Sequence, residues 1–162
     1  MSTTTTAVMD PIAEYQKFFP SSFSLETPRV ILRLIDPADL PHLSLLTKNT
    51  DIWKYFTKDL SDDSSLEQWI TEALEDRRAG KRMPFTIIDR DTKIISGSTS
   101  YGNISFQDKR LEIGWTWLGT AHMGTGVNRH AKFAMLSFAL EVMKMERVEV
   151  KTDNLNERAK AA

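Results

Sequence analysis

The chain has 162 residues, of which 41% are hydrophobic, and this is enough for one globular domain with a substantial core. Its 21 Lys and Arg residues balance 22 Asp and Glu residues, and the net charge of −1 disfavours a nucleic-acid or acidic-membrane partner. There is no cysteine and there are three scattered histidines, so we expect neither a disulfide framework nor a metal site.

The N-terminal sequence, MSTTTTAVMD, lacks the basic region and apolar core of a secretory signal, and no later run approaches membrane-spanning length. We therefore expect a cytoplasmic protein. Residues 11–27 combine aromatic residues with Pro20 and serines, which predicts an extension lying against the domain. The chain accordingly divides into an N-terminal extension, 1–27, and a domain, 28–162.

Beyond the extension, the sequence predicts a strand followed by two helices. The β-branched run 29–35 predicts the first strand, and the Asp36-Pro37 pair begins a helix that extends to about Leu46. A capping-box pattern at the start and a glycine at the end predict a second helix over residues 64–80.

The middle of the chain is rich in β-favouring residues. The runs 84–89 and 93–101 flank a polar segment and predict a hairpin, in which Gly97 indicates a bulge or a close backbone approach. A third strand is predicted over 110–118, and a last strand over 148–151 after an intervening helix. The predicted class is α+β, with a mixed, mostly antiparallel sheet flanked by helices.

A glycine-bearing loop follows the predicted strand 110–118. Gly124 and Gly126 precede a helix predicted over 129–144, whose apolar residues recur so densely that most of its circumference should be covered. A glycine loop before a helix presents unpaired N–H groups at the positive end of the helix dipole, which suits a phosphate group. From the glycines alone, a plain strand-to-helix connection remains the alternative.

The order of strand, HMGTGVN loop, helix and VEVKTDNLNERAKAA segment resembles the Gcn5-related N-acetyltransferase (GNAT) superfamily, and within it the RimJ/RimL-like ribosomal-protein N-acetyltransferases. The resemblance extends from about Pro28 to the end of the chain. It implies transfer of an acetyl group from acetyl-CoA to a primary amine, either a protein N-terminus or a small amine. It also implies a domain that lacks its last strands, because the family continues beyond the segment that here ends at Ala162.

The resemblance implies that acetyl-CoA binds along the loop and beside the preceding strand. The family's loop follows the pattern Gln/Arg-x-x-Gly-x-Gly/Ala, and this chain matches both glycines but has Ala121 at the first position. The implied cradle for the pyrophosphate consists of Met123, Gly124, Thr125, Gly126, Val127 and Asn128. Trp117 and Leu118 would border the cofactor arm and Asn156 would contact it, although a turn asparagine is the alternative for Asn156.

The resemblance also implies a catalytic base, Glu112, at the start of the strand beside the cleft. A surface residue at a strand edge is the alternative interpretation of Glu112. A second function is open as well, a catalytically weakened GNAT-like domain that binds CoA or a protein partner, which Ala121 and the short C-terminus favour. An unfinished sheet would further favour a homodimer.

Overall fold

The computed structural model describes residues 10–54, 56 and 58–150. Its strands are β1 Ser24–Glu26, β2 Val30–Leu34, β3 Arg82–Asp89, β4 Ile94–Ser105, β5 Arg110–Leu118 and β6 Arg147–Val150. Its α-helices are α1 Pro11–Phe18, α2 Leu40–Thr47, α3 Asp63–Arg78 and α4 Val127–Ser137, the last of which continues as a π-helical segment, Phe138–Val142. Short 3₁₀ turns occupy Pro37–Asp39, Thr50–Trp53 and Thr120–His122.

The strands of the described residues form one six-stranded sheet in sequence order, from β1 to β6. Neighbours are antiparallel from β1 to β5, whereas β6 is parallel to β5. A parallel neighbour requires a crossover, and α4 supplies it. The predicted α+β class with a mixed, mostly antiparallel sheet is confirmed. Within the described ranges, no helix is long and apolar enough to span a membrane.

Helices cover both faces of the sheet. On the α1–α4 face, alternate residues of the central strands join the core, namely Met83, Phe85, Ile87, Tyr101, Leu111 and Ile113. On the α2–α3 face, the buried cluster contains Trp53, Trp69 and Trp117. The two-residue period separates the faces along β3, where Phe85 joins the first cluster and Thr86 donates a hydrogen bond to Asp39 beside α2.

The N-terminal segment packs against the domain. Tyr15 and Phe19 are buried in the core, and the Tyr15 hydroxyl donates a 2.6 Å hydrogen bond to the Arg82 carbonyl. Strand β1 pairs with β2 and so extends the sheet. The boundary between extension and domain at residues 27 and 28 stays a prediction.

The bulge indicated by Gly97 is present. Ile87 opposes Gly97 and Ile88 opposes Ile95, so Ser96 is the extra residue on β4. A Cβ built on Gly97 would lie 2.1 Å from the Trp117 carbonyl oxygen. The sequence indicated either a bulge or a close backbone approach at Gly97, and the structure has both.

Two details of the helices differ from the prediction. Helix α3 begins at Asp63 because the side chain of Asp62, rather than that of Ser64, caps it by accepting from the Ser65 N–H. Helix α4 begins at Val127, two residues before the predicted start.

The prediction that α4 is covered around most of its circumference is wrong. Phe133 is 67% exposed and Leu140 is 47% exposed, although both are large and apolar. The buried side of the helix is instead formed by small or flexible residues, namely Ala131, Ala134, Met135 and Ala139. The helix packs on the sheet with one face only, and small side chains allow it to approach closely.

A buried carboxylate, that of Asp39, joins β2, β3 and the turn before α2. Arg33 donates to its two oxygens at 2.7 and 2.9 Å, the Thr86 hydroxyl donates at 2.7 Å, and the Asp36 N–H donates at 3.0 Å. Burial acts to raise the pKa of Asp39, but the hydrogen bonds outweigh this effect and hold that pKa below its usual range. The carboxylate is therefore ionised in the folded protein at neutral pH.

The substitution Asp39→Ala is expected to lower the free energy of unfolding by about 2 kcal/mol, because it leaves the Arg33 guanidinium and the Thr86 hydroxyl without their acceptor. Because the folded-state pKa lies below the unfolded value, this stabilisation is present above about pH 4 and is lost as the pH falls through the folded-state pKa. Urea unfolding at pH 7 and pH 3, followed by circular dichroism, measures both effects. The exposed Asp108→Ala is the control, and equal losses in the two variants would contradict the assignment.

Candidate active site

The loop between β5 and α4 is open on its outer side. Gly124 and Gly126 have φ angles of +73° and +94°, in the left-handed region that favours glycine. A Cβ built on either residue would meet no described atom within 4 Å. The backbone of the loop is therefore accessible to a ligand that approaches closely.

The loop leads into the N-terminus of α4. Gly126 is the N-cap residue, and no side chain of a described residue caps the helix. The Thr125 hydroxyl donates a 2.6 Å hydrogen bond to the His122 carbonyl, which closes the loop on itself. The first N–H groups of a helix have no intrahelical partner and lie at the positive end of its dipole. The segment thus fits an anion such as a pyrophosphate.

The start of the loop is held against α2. The Gly119 N–H donates to the Ser96 carbonyl at 2.8 Å, and the Asn49 side chain donates to the Thr120 hydroxyl at 2.7 Å. A Cβ on Gly119 would lie 2.6 Å from Leu46 Cδ2, so a larger residue here would displace the Leu46 side chain. These contacts fix the end of β5 relative to the helix that follows.

The implied cradle residues are contiguous around the start of α4, and they differ in what they expose. Val127 is buried in the core, so only its main chain can reach a ligand. Asn128 has a buried Oδ1 atom without a hydrogen-bond partner among the described residues. A buried amide oxygen suits an N–H donor, and the pantetheine arm of CoA carries amide N–H groups. The residues present therefore fit the donor substrate.

Strand β5 contains a second bulge. Ser98 opposes Trp117 and Ser100 opposes Gly114. Between these two pairs, β5 has two residues and β4 has only one, and the extra residue on β5 forms the bulge. One of the two, Trp115, has a φ of +54°, which is unusual for a bulky side chain. The bulge leaves backbone groups of β5 outside the regular ladder.

Among the described residues, the outer edge of β5 is paired only in part. The described pairing with β6 runs from Arg110 to Ile113, and residues 115–118 lie beyond it. The side chains of Trp117 and Leu118 are buried in the two hydrophobic clusters. Only the main chain of these two predicted cofactor-binding residues can therefore border this edge.

Glu112 lies on the α2–α3 face, because its neighbours along β5, Leu111 and Ile113, point into the core on the α1–α4 face. Its side chain is buried, with 7% exposed, and its Oε2 accepts a 2.6 Å hydrogen bond from Asn103 Nδ2. The alternative interpretation, a surface residue at a strand edge, is wrong. A cavity of about 340 Å³ lies beside it, lined also by the carboxylate-bearing Glu149.

Nothing in the amino-acid sequence indicated that Asn103 would contact Glu112. Asn103 has a φ of +45°, which asparagine tolerates better than most residues, but only the register of β4 against β5 brings it there. Asn156 lies outside the described residues, so its proposed contact with the cofactor stays a prediction. Among the described residues, no group of three or more His, Asp or Glu side chains could hold a metal ion.

Comparison with known proteins shows which family this chain resembles. Residues 29–162 match the acetyltransferase (GNAT) domain. An uncharacterized N-acetyltransferase, p20, from Bacillus licheniformis is 25% identical over 137 residues, which cover 82% of this chain and 75% of the relative.

Solved structures share the fold at low sequence identity. A GCN5-related N-acetyltransferase from Brucella melitensis has a TM-score of 0.77 at 17% identity, over 88% of this chain and 66% of that chain. The ribosomal-protein-S5-alanine acetyltransferase from Vibrio fischeri has a TM-score of 0.69 at 19% identity, over 86% of this chain and 79% of that chain.

The curled mixed sheet and the glycine loop before α4 are thus those of an acetyltransferase fold. The domain match covers most of the chain, and the chain belongs to the GNAT acetyltransferase family. The resemblance inferred from the loop and its flanking elements is confirmed.

Proposed function

We propose that this protein transfers an acetyl group from acetyl-CoA to a primary amine. The observation that carries the proposal is the open glycine loop at the uncapped N-terminus of α4. The main chain from Met123 to Asn128 would hold the pyrophosphate. The Met123 N–H already donates to the Thr120 carbonyl at 3.2 Å, so the donors would be the main-chain N–H groups from Gly124 onward. Acetyl-CoA supplies an activated thioester, and the remaining steps depend on residues of this chain.

The bulge in β5 indicates where the thioester of acetyl-CoA would lie. If the pantetheine arm lies along the main chain of residues 115–118, the acetyl carbonyl comes beside the bulge. Backbone N–H groups that the bulge frees from the ladder can donate to the carbonyl oxygen as negative charge develops there. This stabilisation needs no side chain, which agrees with the buried positions of Trp117 and Leu118.

Glu112 supports the proton transfer. The amine nitrogen attacks the carbonyl carbon, a C–N bond forms, the C–S bond breaks, and the amine proton passes to the Glu112 carboxylate directly or through a water. The hydrogen bond from Asn103 orients the Glu112 carboxylate, and Glu112 lines the cavity. Glu149 is its cross-strand neighbour on β6 but is ion-paired with Arg147 at 2.7 Å.

The leaving thiolate takes its proton from water, because the two described tyrosines are unsuited to donate it. The hydroxyls of Tyr15 and Tyr101 each donate a 2.6 Å hydrogen bond to a core backbone carbonyl. Burial raises the pKa of both side chains well above the usual value, which makes each a weaker acid.

The alternative function is a weakened domain that binds CoA or a protein partner without turnover. Ala121, which replaces the family's Gln or Arg, lies on the exposed surface of the 3₁₀ turn before the loop and favours this alternative. Binding of acetyl-CoA without release of CoA in the presence of amines would support it. The cytoplasmic location and the homodimer expected from the sequence stay predictions.

The first prediction for this site concerns the loop. Gly124→Ala places a methyl group where the pyrophosphate would meet the backbone, so we expect acetyl-CoA affinity to fall by about 10-fold, or about 1.4 kcal/mol. Isothermal titration calorimetry measures the dissociation constant. Gly80→Ala is a matched control, because Gly80 has a φ of +72° and lies at the end of α3. Both variants carry a similar strain of about 1–2 kcal/mol.

Equal affinities of the two glycine variants would contradict the placement of the pyrophosphate on the loop. Unfolding curves of both variants verify that each is folded under the conditions of the titration.

The second prediction concerns the base. Glu112→Gln keeps the hydrogen bond from Asn103 possible but removes the proton acceptor, so we expect kcat at pH 7 to fall by about 100-fold or more. Acetyl-CoA affinity should not change. A higher pH should restore part of the rate, because the amine then loses its proton to solvent. Continuous detection of released CoA with a thiol reagent measures the rate, and the chain has no cysteine to interfere.

Glu149→Gln is the matched control for the base, since Glu149 lies beside Glu112 in the same cavity. We expect its rate to stay within about 3-fold of the parent rate, as for an exposed ion pair. A large loss in Glu149→Gln together with a normal rate in Glu112→Gln would transfer the role of base to Glu149.

A further inference from the structure

A cation is enclosed between two tryptophans on the face that carries Glu112. Arg82 Cζ lies 5.1 Å from the ring centroid of Trp69 and 5.1 Å from that of Trp115. A Cβ on Gly102 would lie 2.1 Å from the Trp115 ring, so the indole rests on this glycine. Because Gly102 pairs with both Arg82 and Glu112, the indole lies above the sheet between these two charged residues.

The guanidinium of Arg82 is not fully satisfied. Its side chain is 6% exposed, Nε donates to Ser100 Oγ at 3.0 Å, and Asp76 Oδ2 lies 4.0 Å from Nη1. Nη2 is buried and has no hydrogen-bond partner among the described residues. Burial lowers the pKa of Arg82 to about 10, against the opposing effects of Asp76 and Glu72, so the group is charged at neutral pH. A buried positive charge with an unused hydrogen-bond donor is stabilised when an anion binds to it.

A second unused donor lies in the same cluster. Trp117 Nε1 is buried and has no hydrogen-bond partner in the described part of the chain. The Trp117 ring lies 6.1 Å from that of Trp69, against which Arg82 also stacks. The cluster around Trp69 thus contains two buried donors without acceptors among the described residues, and a carboxylate is a group that offers only acceptors.

We propose that the acceptor amine carries a carboxylate, which Arg82 Nη2 binds while the amine faces Glu112 in the same cross-strand row. This inference rests on the proposed acetyl transfer and assigns its substrate class as free amino acids. A protein N-terminus has an amide in place of this carboxylate and lacks the charge. Trp115, whose ring lies against the Arg82 guanidinium, is only partly buried, and binding of the carboxylate at Nη2 requires this indole to move aside.

Tryptophan fluorescence reports this region directly, because Trp53, Trp69, Trp115 and Trp117 are the four tryptophans of the chain. We would titrate the protein with the twenty amino acids and with the corresponding amino-acid amides, which mimic a protein N-terminus. At least one amino acid should change the emission, and its amide should bind about 10- to 100-fold more weakly, as expected when a charged hydrogen bond is lost.

Two Arg82 variants and one control test the role of the guanidinium. Arg82→Met keeps the length but removes the charge, so it should abolish the preference for the amino acid over its amide. Arg82→Lys should retain part of the preference, since it keeps the charge. Arg78→Met, at the exposed end of α3, should behave like the parent protein. Circular dichroism establishes that each variant is folded.

Equal affinity of the parent for amino acids and amides would overturn the inference, as would the absence of any emission change. If folded Arg82→Met lost affinity for the amino acid and for its amide equally, the inference would also be overturned, because Arg82 would then have only a structural role. Calorimetry with acetyl-CoA on the same samples separates the two proposals. A parent that binds acetyl-CoA but prefers amides refutes only the carboxylate site, whereas one that prefers amino acids but does not bind acetyl-CoA refutes the acetyl transfer.

Discussion

The alternation of side chains along β5, and its interruption by one extra residue, is the constraint on which the site depends. Leu111 and Ile113 point into the core beneath α4, and Glu112 therefore points to the opposite face. Without a bulge, Trp117 would follow Leu111 and Ile113 into that core. The extra residue reverses the alternation, so that Trp117 packs with Trp53 and Trp69 instead.

Glycines make this arrangement sterically possible. Gly97 allows the backbone of β4 to contact the carbonyl of Trp117, and Gly102 makes room for the indole of Trp115. At the end of the strand, Gly119 accommodates Leu46 from α2, after which the loop turns into α4. The same strand thus joins a helix start that suits an anion, a bulge in the ladder and a buried carboxylate, which are the features on which the proposed acetyl transfer depends.

Much of the fold could be predicted from local patterns, whereas contacts that depend on register could not. The β-branched runs, the glycine loop and the bulge at Gly97 follow from residue types and short spacings. The exposure of Phe133 could not be inferred, because its spacing is that of a buried residue and only the packing of α4 decides which side faces the sheet. Arg82 carried no signal at all, since its partners Trp69 and Trp115 are distant in sequence and meet only in the folded sheet.

The most direct measurement of the central claim is a crystal structure of the protein with CoA. The pyrophosphate should lie within hydrogen-bond distance, about 3 Å, of main-chain N–H groups between Gly124 and Arg129. The pantetheine arm should follow the main chain of residues 115–118, with its thiol on the same side as Glu112. A pyrophosphate held by side chains elsewhere on the protein, with the loop uninvolved, would contradict the account.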